Sequence, residues 1–135
     1  MNYYLLTIRS SQEAAMFNTS ADYQHCLDML SALKDEYRFD IRGYCFMPDY
    51  LKLVIGLDPS NFNAESEIFC PDGQMPAWKK IVKTFPKLMP LRGQCIRIAD
   101  RRRLLNVLKY IECEPVQAGI VDSPVKYRYS SAYIV

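Results

Sequence analysis

Tyr50 and Lys52 stand two residues apart in YLKLVIGL (50–57), where Leu51, Leu53, Ile55 and Leu57 alternate with Tyr50, Lys52 and Val54. Strand side chains alternate between faces, so this spacing aims a phenol and an ammonium the same way, off the face committed to the core. A lysine so placed either holds a phosphate or is a solvated charge. Tyr110 lies in RRRLLNVLKYIEC (101–113), beside Asn106 and Arg103 and about 120° round the helix from the stripe of Leu104, Leu108 and Ile111, so it is expected to be accessible. A bare phenol acting on a phosphate needs a metal or a cationic cluster to stabilise the developing charge. Arg101, Arg102 and Arg103 open the same helix, where the macrodipole disfavours cations, so they are expected to meet phosphates or carboxylates or to form a solvated face. Lys79, Lys80 and Lys83 share one side of an earlier helix by i, i+3 and i+4 spacing, a basic stripe for nucleic acid or a solvated face.

Other groups have weaker claims. His25, the single histidine, sits on the first helix and cannot build a metal site alone. Trp78 reads as a core anchor. Tyr127, Tyr129 and Tyr133 alternate in the tail and either stack on bases or pack on the body. Cys26, Cys45, Cys70, Cys95 and Cys113 are scattered, with no C-x-x-C and no Cys/His cluster, which reads as buried thiols and not a zinc or disulfide framework. The chain of 135 residues is expected to be one domain over 1–135, and half its residues are hydrophobic, enough for a packed core. A net charge of +2 does not by itself indicate a nucleic-acid partner. No apolar run approaches the roughly 18 residues of a membrane span and the start lacks a signal-peptide pattern, so a cytoplasmic location and no membrane partner are expected.

The elements that must position these groups follow from periodicity. NYYLLTIRS reads as a strand, and ADYQHCLDMLSALKDEY as a helix with Ser20 or Asp22 near its N-cap. FDIRGYCFM and YLKLVIGL form a hairpin through Pro48 and Asp49. A polar loop (58–76) leads to a second helix, AWKKIVKTFPKLM, disturbed at Pro86. GQCIRIA is a short strand, and Asp100 caps the helix carrying Tyr110, which EPVQAGIV closes with Pro and Gly. The order β-α-β-β-α-β predicts an α+β, ferredoxin-like (RRM-like) fold. Its four-stranded antiparallel sheet carries two helices on one face, with an additional C-terminal helix bearing Tyr110.

Two stretches resemble a known family. YCFMPDYLKLVI is similar to the Met-Pro-Asn-His-x-His strand of the single-tyrosine HUH transposases, especially the REP-associated tyrosine transposases. LKYIECEPVQAGIVDSPVKYRYSSAY resembles their Tyr-Ile-x-x-Asn-Pro-Val-x-Ala-Gly-Leu-Val segment and its trailing Ser-Ser. The Tyr-rich first strand, Phe17 and Asp22-Tyr23 also agree, whereas residues 58–98 show no clear match. The resemblance implies paired histidines that hold Mg²⁺ or Mn²⁺ and a helix tyrosine that forms a 5′-phosphotyrosine link with DNA. Here the paired positions are Tyr50 and Lys52, the third ligand counted one turn back from Tyr110 is Asn106, and Tyr110 matches the nucleophile. Lysine repels a metal and neutral tyrosine ligates one poorly, so a degenerate metal position and no cofactor are expected.

These readings lead to a transposase-like protein binding single-stranded or hairpin DNA through Lys52, Arg101, Arg102, Arg103, Lys79, Lys80 and Lys83, without metal-dependent nicking. One alternative is an active transposase or nickase, and so an enzyme of DNA transposition and recombination, using Tyr110 as catalytic residue. The other is a protein-association module, with a homodimer as one form of it, built through loop 58–76 and the tyrosine tail.

Overall fold

The computed structural model describes residues 1–10, 15, 17–60 and 91–134. The expected helix over 77–89, with Trp78, Lys79, Lys80, Lys83 and Pro86, lies outside the described residues, as does most of the loop 58–76.

The described elements are β1 (Asn2–Ser10), α1 (Ser20–Tyr37), β2 (Asp40–Met47), β3 (Tyr50–Leu57), β4 (Leu91–Ile98) and α2 (Arg101–Gln117), followed by a 3₁₀ turn at Pro124–Lys126. The strands form one sheet in the order β2-β3-β1-β4, every pair antiparallel. This is the sheet order of the ferredoxin-like α+β fold. The hairpin through Pro48 and Asp49 pairs Met47 with Tyr50.

Alternation sorts each strand between two cores. Tyr4, Leu6 and Ile8 of β1, Phe46 of β2 and Leu51, Leu53, Ile55 and Leu57 of β3 meet Tyr23, Cys26, Leu30 and Leu33 of α1. On the opposite face Cys45, Met47, Val54 and Ile98 meet Leu104 and Ile111 of α2 and Tyr127 of the tail. The expectation of a half-exposed strand 50–57 is corrected: α2 lies on the second face, so β3 is buried on both sides from Leu51 to Leu57. Gly43 permits this close approach, since a Cβ there would stand 2.5 Å from Leu108 Cδ2.

Local chemistry fixes the helix ends. Thr19, one residue before Ser20 and three before Asp22, is the N-cap of α1; it accepts from the Asp22 N–H while the Asp22 carboxylate accepts from the Thr19 N–H, a capping box. Asp100 caps α2 as expected, accepting from the Arg103 N–H at 2.8 Å. The helix runs on through Pro115, which is buried, before closing. The Ile120 N–H donates to the Pro115 carbonyl and the Gly119 N–H to that of Val116, a Schellman closure with Gly119 at φ +76°. The tail then returns along the edge strand: the Phe46 N–H donates to the Tyr129 carbonyl and the Ser131 N–H to that of Tyr44. That covers the β2 edge at Tyr44–Phe46, where backbone groups would otherwise be unpaired. No described helix is long and apolar enough to cross a membrane.

Candidate functional site

The candidate site lies where α2 crosses β3. Lys52 pairs in register with Thr7 of β1 and Cys45 of β2, so its side chain rises from the middle of the sheet. It is 8% exposed. Its ammonium donates to Glu114 Oε1, and the Tyr50 hydroxyl donates to Glu114 Oε2. Glu114 is itself buried, in the last full turn of α2. The Lys52 Nζ also stands 4.9 Å from the centroid of the Tyr110 ring and 5.5 Å from that of Tyr50, within cation–π range of both. Tyr110 is 53% exposed, so its phenol faces solvent above a buried ammonium.

Burial is survivable here because the charges meet. An unpaired lysine in this position would lose hydration without compensation, whereas the carboxylate supplies both opposite charge and acceptors. The Tyr50 phenol is held above its ordinary range, first by burial and then by its bond to the carboxylate. The Cys45 thiol, fully buried where Tyr50 is partly so, is pushed up to about 12, again by burial first and then by the negative charge of Glu114. Both remain protonated near neutral pH, so neither supplies an anionic ligand.

The donor set does not suit a hard divalent cation. Mg²⁺ and Mn²⁺ favour carboxylate, carbonyl and water oxygens. The one carboxylate at the site is engaged on both oxygens, and an ammonium occupies the space between the strand and the tyrosine. Among the described residues, no three His, Cys, Asp or Glu side chains come together as a metal-binding group.

The structure brings Tyr50, Lys52 and Tyr110 together and leaves Asn106 exposed on α2. The residue delivered to the strand is Glu114, one helical turn after Tyr110 and not one turn before it. Its i+4 spacing from Tyr110 and its place at the asparagine of the Tyr-Ile-x-x-Asn-Pro-Val pattern were the available signals. Arg9 was also missed. It is the register partner of Tyr50, on the same face, with its guanidinium carbon 5.2 Å from the Tyr50 ring centroid. The exposed side chains of Arg101, Arg102 and Arg103 line the first turn of the helix that carries Tyr110. His25 is exposed on α1, across the sheet from this site. Tyr127 and Tyr129 pack on the body: Tyr129 stacks on Tyr23 with centroids 3.7 Å apart, and Tyr127 meets Tyr129 edge-on. Tyr133 is exposed.

No family model and no curated protein matches the chain. Among solved structures, it is similar to a REP-associated tyrosine transposase bound to a REP hairpin. The TM-score is 0.72 at 17% identity, over 96% of this chain and 76% of that one. A crystal structure of a proposed transposase from Deinococcus radiodurans aligns with a TM-score of 0.49 at 16% identity, over 83% of this chain and 88% of that one. The sheet order, the helix crossing β3 and the first of these likenesses agree on one architecture: the chain has the fold of the REP-associated tyrosine transposase.

Proposed function

We propose that this protein is a member of the tyrosine-transposase lineage that binds single-stranded or hairpin DNA and does not perform metal-dependent nicking. The observation that carries this reading is the buried Lys52–Glu114 pair, bonded to Tyr50, beneath an exposed Tyr110. It puts a fixed ammonium where the family resemblance calls for a metal and leaves a phenol, Arg9 and the Arg101–Arg103 turn facing solvent. The structural relative bound to a REP hairpin supports the choice of DNA. In this reading Arg9, Arg101, Arg102 and Arg103 hold phosphates, and Tyr110 offers its ring face and hydroxyl above a Lys52 whose charge Glu114 balances.

The test is binding of a hairpin oligonucleotide with a single-stranded flank at 50 and 200 mM salt, with and without Mg²⁺. Affinity is expected to fall steeply with salt, as phosphate contacts require, and to be indifferent to the metal. No binding at 50 mM salt refutes the reading.

A second reading has its own support: Tyr110 is exposed and stands over a cation, as a metal-free nucleophile requires. It predicts a covalent protein–DNA adduct on a denaturing gel, lost in Tyr110→Phe. Absence of the adduct with bound hairpin, in Mg²⁺, Mn²⁺ or chelator, removes it.

A further inference from the structure

A cleft opens on the face of the sheet opposite Tyr110. It has a volume of about 240 Å³ and lies between the first turn of α1, the edge strand β2 and the returning tail. Tyr44, Phe46 and Tyr129 supply aromatic walls, with Gln24 and Arg128 at their margin. The Tyr129 ring is braced from one side by Tyr23. The tail is fixed on the β2 edge by backbone bonds on either side of Cys45, so Arg128 and Tyr129 are held against the cleft. Those same bonds occupy the backbone of Tyr44–Phe46 beside the cleft, so a ligand there is recognised by side chains.

The side chains have a definite polarity. The Gln24 Nε2 donates to Asp28 Oδ1 at 2.9 Å; a carboxylate only accepts, which fixes the amide orientation and leaves Oε1 as an acceptor. Arg128 is exposed and forms no ion pair with a described residue. A cleft lined by aromatic rings, with an acceptor and an exposed guanidinium in the same lining, matches a heterocycle bearing an amino group and an attached phosphate. The volume is below the 300–1,000 Å³ or so of sites for drug-sized ligands, the scale of one nucleotide and not of a folded segment.

We propose that the cleft between α1, β2 and residues 128–129 receives one unpaired nucleotide, its base against Tyr44 and Tyr129, its amino group on Gln24 and its phosphate on Arg128. This rests on the DNA-binding reading and adds to it a contact on the face opposite Tyr110. Adenine, cytosine and guanine offer Gln24 Oε1 an exocyclic amino group and are preferred; thymine offers it only the ring N3–H, between two carbonyls that find no donor in Oε1.

The test is amide-resolved NMR titration of the full chain with dAMP, dCMP, dTMP, deoxyadenosine and inorganic phosphate. Shifts are expected at Gln24, Tyr44 and Arg128 with dAMP or dCMP, more weakly with dTMP, and not at Tyr110. Arg128→Glu, a surface change that leaves the fold intact, is expected to weaken dAMP about tenfold or more while deoxyadenosine is little affected. Absence of shifts at these residues with every nucleotide overturns the proposal, and so does a response to inorganic phosphate equal to that for dAMP. Hairpin binding measured on the same sample separates the two readings. Silent cleft residues in a protein that binds hairpins remove the cleft alone, whereas silence in both assays removes the DNA-binding reading as well.

Discussion

Removing either charge of the Lys52–Glu114 pair should destabilise the protein far more than removing both. The two side chains are only 10% and 6% exposed, so solvent screens little of the loss when one partner is deleted. Breaking a buried pair from one side costs about 3–5 kcal/mol, because the surviving charge stays desolvated. With an m-value near 2 kcal/mol/M in urea, Lys52→Met or Glu114→Leu is expected to lower the unfolding midpoint by roughly 1.5–2.5 M. The double variant replaces the pair with apolar side chains and should recover most of that loss. What it does not recover is the Tyr50 hydroxyl, which loses its acceptor at Glu114 at a cost of about 1–3 kcal/mol. Adding Tyr50→Phe should therefore restore stability further, the opposite of what three independent lesions do. Urea unfolding of the singles, the double and the triple, fitted with a common m-value, measures this directly. If the effects of Lys52→Met and Glu114→Leu add to within about 0.5 kcal/mol, the two are not coupled and the description of the site is wrong.

Three other outcomes are expected. Arg9→Gln should lower the slope of log affinity for single-stranded DNA against log salt by about 0.7, the share of one phosphate contact, without changing stability measurably; an unchanged slope removes Arg9 from the interface. Stability should decline above pH 9, because the Cys26 and Cys45 thiols are pushed up to about 12 by burial and keep their protons in the folded state while the unfolded chain releases them. The unfolded state then binds fewer protons, so each thiol removes up to about 1.4 kcal/mol per pH unit between its unfolded and folded values, and replacing both with alanine should flatten the decline seen by urea unfolding across that range. Gly119→Ala should destabilise by about 1 kcal/mol, read as a fall in Tm, because the Schellman closure of α2 holds this residue at φ +76°.

Much of the fold was legible because it depends on local rules. Alternation in 2–10 and 50–57, helical spacing through 23–37, the turn at Pro48-Asp49 and the cap at Asp100 each specify an element without reference to the rest of the chain. The end of α2 was less legible. Pro115 and Gly119 both signal closure, but only Gly119 acts as a stop, since Pro115 is carried inside the helix by its burial against the second core. The covering of β3 on its second face was legible only as an option, since the element order leaves that face to a partner or to the additional helix without deciding between them. Its alternation is genuine, yet both of its registers are buried, because a charge on α2 meets a charge on the strand.

The site shows the same boundary more sharply. Lys52 and Tyr50 could be placed on one face by parity, and Tyr110 on an outward side of its helix by angle. Glu114 could not be assigned to them, because no local rule sets the rotation of α2 about its axis relative to β3. Long-range packing sets it, through Gly43 admitting Leu108 and Ile111 filling the second core. Once that rotation is fixed, a residue four places after Tyr110 must point where Lys52 rises, and its identity becomes decisive. An asparagine there would leave the ammonium buried without a counter-charge, and a glutamate above two histidines would lack the ammonium that neutralises it. The strand and the helix, 62 residues apart in sequence, therefore constrain each other's side chains through one charge balance. A variant that places histidine at Lys52 or asparagine at Glu114 alone should lose stability before it gains any affinity for a metal.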